Sequence, residues 1–135
     1  MFHIANRYNI FISHSWHYSY HYDKICEWIA ISNITSFDYS ISVEKRFPRM
    51  SKTQLKAAIT EQISHASVVI IPAGMYASYS EWIDYEINEA IRMNKKILGI
   101  YPWGQMHVPT KVSLNAKLMV HWQQDSVIRG IKQLL

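Results

Sequence analysis

Apolar residues recur along the chain in two rhythms that alternate with one another. Short uninterrupted runs occur at Tyr8 to Ser13, Ser67 to Pro72 and Ile97 to Tyr101. A run of this kind, rich in β-branched residues, predicts a strand buried on both faces. Ser67-Val68-Val69-Ile70-Ile71-Pro72 is the clearest of them and requires cover above and below its sheet. Between the runs lie stretches where apolar residues return every three or four positions, the spacing of one helical face. Tyr22, Ile25, Cys26 and Ile29 mark a helix over Tyr20 to Ala30. Ser51 reads as an N-cap with Gln54 in the capping-box position, ahead of Leu55, Ala58, Ile59 and Ile63. Ser78 reads as a second N-cap, with Glu81 in the same relation, for a helix that runs to about Met93 and stops at Asn94-Lys95-Lys96. Val127, Ile128, Ile131 and Leu134 face inward from a terminal helix over Asp125 to Leu135. Shorter strands are expected at Ile34 to Phe37 and Leu118 to Val120. There is no internal repeat and no low-complexity segment.

Strands that alternate with helices predict an α/β fold, because right-handed crossovers leave few other solutions. The expected architecture is a flavodoxin-like three-layer sandwich, a parallel five-stranded sheet with helices on both faces. In such sheets ligands bind outside the carboxyl ends of the strands, where strand order reverses beside the first strand. That rule selects His14 to Tyr20, Asp38 to Met50 and Ala73 to Trp82 as the loops that carry chemistry.

The chain has 135 residues, 49% of them hydrophobic, enough for a buried core and too few for two ordinary domains, so residues 1–135 are expected to form one. No apolar run reaches the length of a membrane span and the first residues do not resemble a signal peptide, which predicts a cytoplasmic protein that does not engage membranes. The single Cys26 cannot make an internal disulfide and suits an apolar helix face. A net charge of +4 would permit nucleic-acid contact, but the basic residues are dispersed apart from Lys45, Arg46 and Arg49, so no nucleic-acid partner is expected.

Trp82 and Glu86 stand four residues apart, which places indole and carboxylate on one face of the predicted helix. Ile83, Ile87, Ala90 and Ile91 fill the neighbouring stripe, so Glu86 is expected at the margin of the buried face, beside an aromatic wall. The competing reading makes Trp82 a core anchor and Glu86 a carboxylate favoured by the helix dipole. Trp16, Tyr39, Tyr76 and Tyr79 are further aromatic candidates on the selected loops, with Asp38 and Ser78 beside them. Ser13, His14 and Ser15 lie where backbone N–H groups can hold phosphate, although the glycine-rich dinucleotide fingerprint is absent. His14, His17 and His21 are closely spaced, but two of them fall in a loop without a fixed acidic partner, and no metal is expected. There is no nucleophile-elbow motif for a Ser-His-Asp hydrolase.

Four ordered motifs resemble the Toll/interleukin-1 receptor (TIR)-like domains of bacterial Thoeris antiphage systems. They are Phe11-Ile12-Ser13-His14-Ser15-Trp16; Asp38-Tyr39-Ser40; Ala73 to Ile83 with Glu86-Ile87; and Pro102-Trp103-Gly104-Gln105 with Trp122 and Ser126-Val127-Ile128. After Ser40 the chain departs from that branch, since Ile41 to Arg49 is basic where the family carries Val-Pro and an acidic stretch. The resemblance implies an enzyme that consumes NAD as substrate, with no separate cofactor, and in which Glu86 is catalytic. It also implies a nucleotide signal, cyclic or conjugated, that activates a downstream effector, and self-assembly through contacts between TIR domains. The chemistry is compatible with a single carboxylate. The pyridinium of NAD leaves as neutral nicotinamide without protonation, and an anion beside the ribose stabilises the oxocarbenium left behind. Asp84 and Glu81 point elsewhere on the helical wheel and Glu89 lies a turn further from the crevice, and each is expected to be solvated or salt-bridged. Two alternatives stay open: a TIR interaction module without catalysis, and a nucleoside deoxyribosyltransferase-like enzyme on a similar layout, against which the Pro102 to Gln105 motif argues.

Overall fold

The structure, a computed structural model, describes residues 9–16, 20–32, 34, 50–104 and 107–135. The described elements run in chain order β1 (Ile10–Ile12), α1 (Tyr20–Ile31), α2 (Lys52–His65), β2 (Val68–Pro72), α3 (Tyr76–Arg92), β3 (Lys96–Ile100), α4 (Thr110–Asn115), β4 (Leu118–Val120) and α5 (Gln124–Leu134). The strands form one sheet in the order β1-β2-β3-β4 with every pair parallel. Five strands were expected and four are described; the region of the expected second strand, 35–37, lies outside the described residues. The architecture is the flavodoxin-like α/β sandwich.

Alternation along the strands divides the core into two layers. Ile10 and Ile12, Val68 and Ile70, and Leu98 and Ile100 point to one face, where Ile25 and Ile29 of α1 and Val127 and Ile131 of α5 cover them. Phe11, Val69, Ile71 and Ile97 point to the other, under Ile59 and Ile63 of α2, Ile83 and Ile87 of α3, and Val112 of α4. The buried β-branched run of β2 therefore has the two covers its composition requires.

Ser51 caps α2 as expected: its hydroxyl accepts from the Gln54 N–H at 3.2 Å while the Gln54 side chain accepts from the Ser51 N–H at 2.9 Å. Asn94 ends α3 in the left-handed conformation at φ 57°, and the Lys95 N–H reaches back to the Ala90 carbonyl at 2.8 Å, a Schellman-type close. The start of α3 differs from the sequence expectation. A 3-10 turn, Ala73–Met75, leads directly into Tyr76, and Ser78 is an exposed residue inside the helix rather than its cap. One residue later, Tyr79 is non-helical at φ −132° and ψ 31°, a kink. Glu81 does not close a capping box but pairs with Lys52 of α2. Helix α4 was not anticipated, because its six residues follow Pro109 and bury Val112 alone.

Candidate active site

Ser13 follows β1 and extends the ladder by one bond, its N–H donating to the Ile70 carbonyl at 3.0 Å. The chain then tightens into a 3-10 turn, His14–Trp16. Glu86 reaches this turn from the middle of α3. The Ser13 hydroxyl donates to Glu86 Oε1 at 2.5 Å, and the His14 N–H donates to Glu86 Oε2 at 2.7 Å. Behind Ser13, the Ser15 hydroxyl lies 2.7 Å from the Ser13 hydroxyl, and the Ser15 N–H donates to the same oxygen at 3.3 Å. Glu86 is at the sheet's carboxyl end, as expected, but it is 0% exposed rather than marginal. The reason is that the β1 exit turn closes over it, a contact spanning 72 residues of sequence that no local pattern reveals.

Among the described residues, the two oxygens of Glu86 thus meet neutral donors only. Burial raises its pKa to about 7, and the hydrogen bonds from Ser13 and the His14 backbone hold it back from rising further. Trp82 is half-buried one turn earlier on α3, and its ring meets the His14 ring edge-on, with centroids 5.6 Å apart and planes at 62°. This contact joins two of the binding candidates across the turn that covers the carboxylate. The neighbouring carboxyl groups are engaged elsewhere, as expected. Asp84 accepts from the Tyr76 hydroxyl at 2.8 Å, Glu81 pairs with Lys52, and Glu89 pairs with Arg92.

The remaining candidates disperse. Trp16 was anticipated as an aromatic face on a loop, but it is 0% exposed and packs with the α1–α5 layer. Ser13 and Ser15 are buried with their hydroxyls directed to the Glu86 chain rather than to an open phosphate site. Tyr76 is half-buried and tied to Asp84, and Ser78 and Tyr79 are exposed at the kink of α3. Asp38, Tyr39, His17, Lys45, Arg46 and Arg49 lie outside the described residues. Among the described residues, no three His, Cys, Asp or Glu side chains gather as metal ligands, and no helix is long and apolar enough to cross a membrane.

Sequence reasoning missed a second aromatic group on the other face of the sheet. His21 stacks on Trp103 at 3.8 Å and 14°, and Trp122 contacts Trp16 at 5.8 Å and Trp28 at 4.7 Å. Trp103 also lies against Gly74, where an added Cβ would stand 3.2 Å from the indole ring. The available signal was positional: Trp16, Trp103 and Trp122 all fall just beyond strand ends on the same side of the sheet.

The sequence matches the family described as Thoeris protein ThsB, TIR-like domain, over residues 11–107. The chain belongs to this family. The match covers β1 from Phe11 on, the turn that binds Glu86, and all of α3, so this TIR-like domain contains the complete Glu86 junction within the family region. No sequence among the curated proteins matches the chain. Among solved structures, this TIR-like domain is similar to Clostridium botulinum CMP N-glycosidase, BcmB, with a TM-score of 0.60 and 12% identity over 94% of this chain and 99% of that one. At that identity the likeness is one of fold.

Proposed function

We propose that this TIR-like domain cleaves the bond between nicotinamide and ribose in NAD, with Glu86 as the catalytic carboxylate. The observation that carries the reading is a buried carboxylate at the carboxyl end of a parallel sheet, bonded among the described residues to neutral donors alone. A carboxylate with no cationic partner keeps its charge available for a cation that arrives with the substrate. As the C1′–N bond breaks, its electron pair leaves with the nicotinamide nitrogen, and the ribose becomes oxocarbenium-like beside Glu86. Water, an internal hydroxyl or ring nitrogen, or another acceptor then captures C1′ and releases the corresponding proton. Capture by water gives ADP-ribose, and capture by the other acceptors gives the cyclic or conjugated ADP-ribose derivative that activates an effector in antiphage defence. The substrate reaches Glu86 when the His14 and Trp82 rings, now in edge contact, separate; Trp82 then offers a face to a base. The protein needs no cofactor beyond NAD as substrate, and it works in the cytoplasm.

A second reading is favoured by the carboxyl group's pKa near 7, which leaves a large fraction protonated at neutral pH. Cytosine is a poor leaving group unless protonated, so cleavage of a pyrimidine nucleotide, the substrate named for the structural relative, would use the neutral acid instead. The two readings predict opposite pH limbs. The test is to incubate the purified protein with NAD or CMP at pH 6 to 8.5 and to follow released base by liquid chromatography and mass spectrometry. Nicotinamide release that rises with pH and vanishes in Glu86→Gln supports NAD cleavage. Cytosine release that falls with pH supports the second reading. No release of either base, even with extract from phage-infected cells, leaves a non-catalytic TIR interaction module.

A further inference from the structure

A serine hydroxyl has one hydrogen, and Ser13 touches three polar groups. When Glu86 is ionised its oxygens only accept, so the Ser13 hydrogen is committed to Oε1 and Ser13 must accept from Ser15. When Glu86 is neutral the order reverses: Glu86 donates to Ser13, and Ser13 turns its hydrogen to Ser15. Both arrangements leave every hydroxyl of the chain bonded. His14 contributes differently, since a backbone N–H only donates and holds Oε2 as an acceptor in both states. Oε1 is therefore the oxygen that gains and loses the proton. Glu86 is 0% exposed and Ser15 is 5% exposed, so Ser15 is the outer end of the chain.

We propose that Ser13 is the positioning residue that keeps Glu86 ready for catalysis, and that Ser13 and Ser15 together conduct its proton to solvent water. The inference rests on the reading of Glu86 as the catalytic carboxylate. In the step that empties the site, the Glu86 proton passes to the Ser13 oxygen as the Ser13 proton passes to Ser15 and the Ser15 proton to water. One proton leaves, each hydroxyl is restored, and Glu86 is left as the anion. Among the described residues, other titratable groups near this hydrogen-bond chain are few. The His14 ring lies against Trp82, Asp84 is held by Tyr76, Glu89 by Arg92 and Thr60, and Lys52 of α2 by Glu81. None supplies the hydrogen bond that Ser13 gives.

The test uses the full chain labelled with carbon-13 at the glutamate side-chain carboxyl groups. The Glu86 signal, assigned by its loss in Glu86→Gln, is titrated by NMR in the wild type, Ser13→Ala, Ser13→Thr and Ser15→Ala. Removing the donor to the charged form is expected to raise the midpoint by about one unit in Ser13→Ala, with return in Ser13→Thr and a smaller rise in Ser15→Ala. The acid limb of nicotinamide release should move by the same amount. A midpoint unchanged in Ser13→Ala overturns the proposal even if Glu86→Gln abolishes turnover. A shifted midpoint in a protein that releases no nicotinamide supports the positioning role of Ser13 and removes the catalytic reading. If Ser13→Ala does not fold, the direction of the Ser15→Ala shift decides, since that variant retains the bond from Ser13 to Glu86.

Discussion

Two glutamates three residues apart on α3 have been given opposite settings. Glu86 is wholly enclosed, meets neutral donors and is pushed up to about 7. Glu89 accepts from Arg92 Nε of its own helix at 2.6 Å and from Thr60 of α2 at 2.7 Å, and these partners hold its carboxyl below the usual range against the effect of burial. Same residue type, same helix and similar distances give a group that titrates near neutrality and one locked as an anion. The difference lies in the sign of the partner and the depth of burial, not in the number of hydrogen bonds. A cation on its own helix holds Glu89 as an anion while Thr60 ties it to α2, whereas among the described residues Glu86 meets no charge and remains available to a cationic reactant.

The largest expected effect separates the pair by activity. Glu86→Gln should lower nicotinamide release by at least about 100-fold, the order lost when one electrostatic stabiliser is removed, while Glu89→Gln stays within about twofold. Gln fits the site because its oxygen can take the His14 N–H and its amide can donate to Ser13, so the loss would not reflect misfolding; circular dichroism checks this.

Thermal melting between pH 4.5 and 8.5 gives the next largest contrast. A folded-state pKa raised to about 7 means that the stabilising contribution of Glu86 is complete below its unfolded value near 4.5 and is lost as pH rises through 7. Wild type should therefore lose on the order of 3 kcal/mol across that window relative to Glu86→Gln, the variant becoming the more stable at pH 8. Glu89 runs the other way. Its pKa is lowered, so its contribution is present above the unfolded value and is lost as pH falls through the folded one. Glu89→Gln should melt below wild type at pH 7 and converge with it in acid, with a smaller gap than at Glu86. Smallest of all is Arg92→Ala at pH 7. An exposed i,i+3 partner should shift the melting midpoint by only about 1 °C, because solvent screens the pair. A fall of many degrees would mean that the charge on Glu89 carries more of the α2–α3 contact than its exposed partner suggests.

The sequence carried these settings unequally. The β2 run and the α2 capping box were legible because each is a local pattern with a local cause. The ion pairing of Glu81 was legible from the helical wheel and that of Glu89 from its place a turn beyond the crevice, whereas the bond from Tyr76 to Asp84 was not anticipated. Enclosure of Glu86 was not, since the groups that cover it arrive from the end of β1, and position 86 reads as the edge of a stripe until that turn is in place. The start of α3 was misplaced for a related reason. Ser78 and Glu81 have capping chemistry, but the preceding 3-10 turn launches the helix at Tyr76, and Lys52 of another helix claims Glu81. Trp16 failed as a ligand face because Trp122, remote in sequence, and His21 at the start of α1 take it into the opposite layer.

The grouping of Trp16, Trp28, Trp103 and Trp122 around His21 also has an optical consequence. Four of the five tryptophans share one neighbourhood on the α1–α5 side, whereas Trp82 stands across the sheet by Glu86. Indoles this close exchange excitation, so their emission reports the cluster as a unit, and the stacked imidazole makes that emission sensitive to displacement of His21. Intrinsic fluorescence therefore observes two places at once, and a Trp82→Phe variant would remove the view of the carboxylate while leaving a built-in reporter of how firmly the carboxyl ends of β1, β3 and β4 are clasped together on the opposite face.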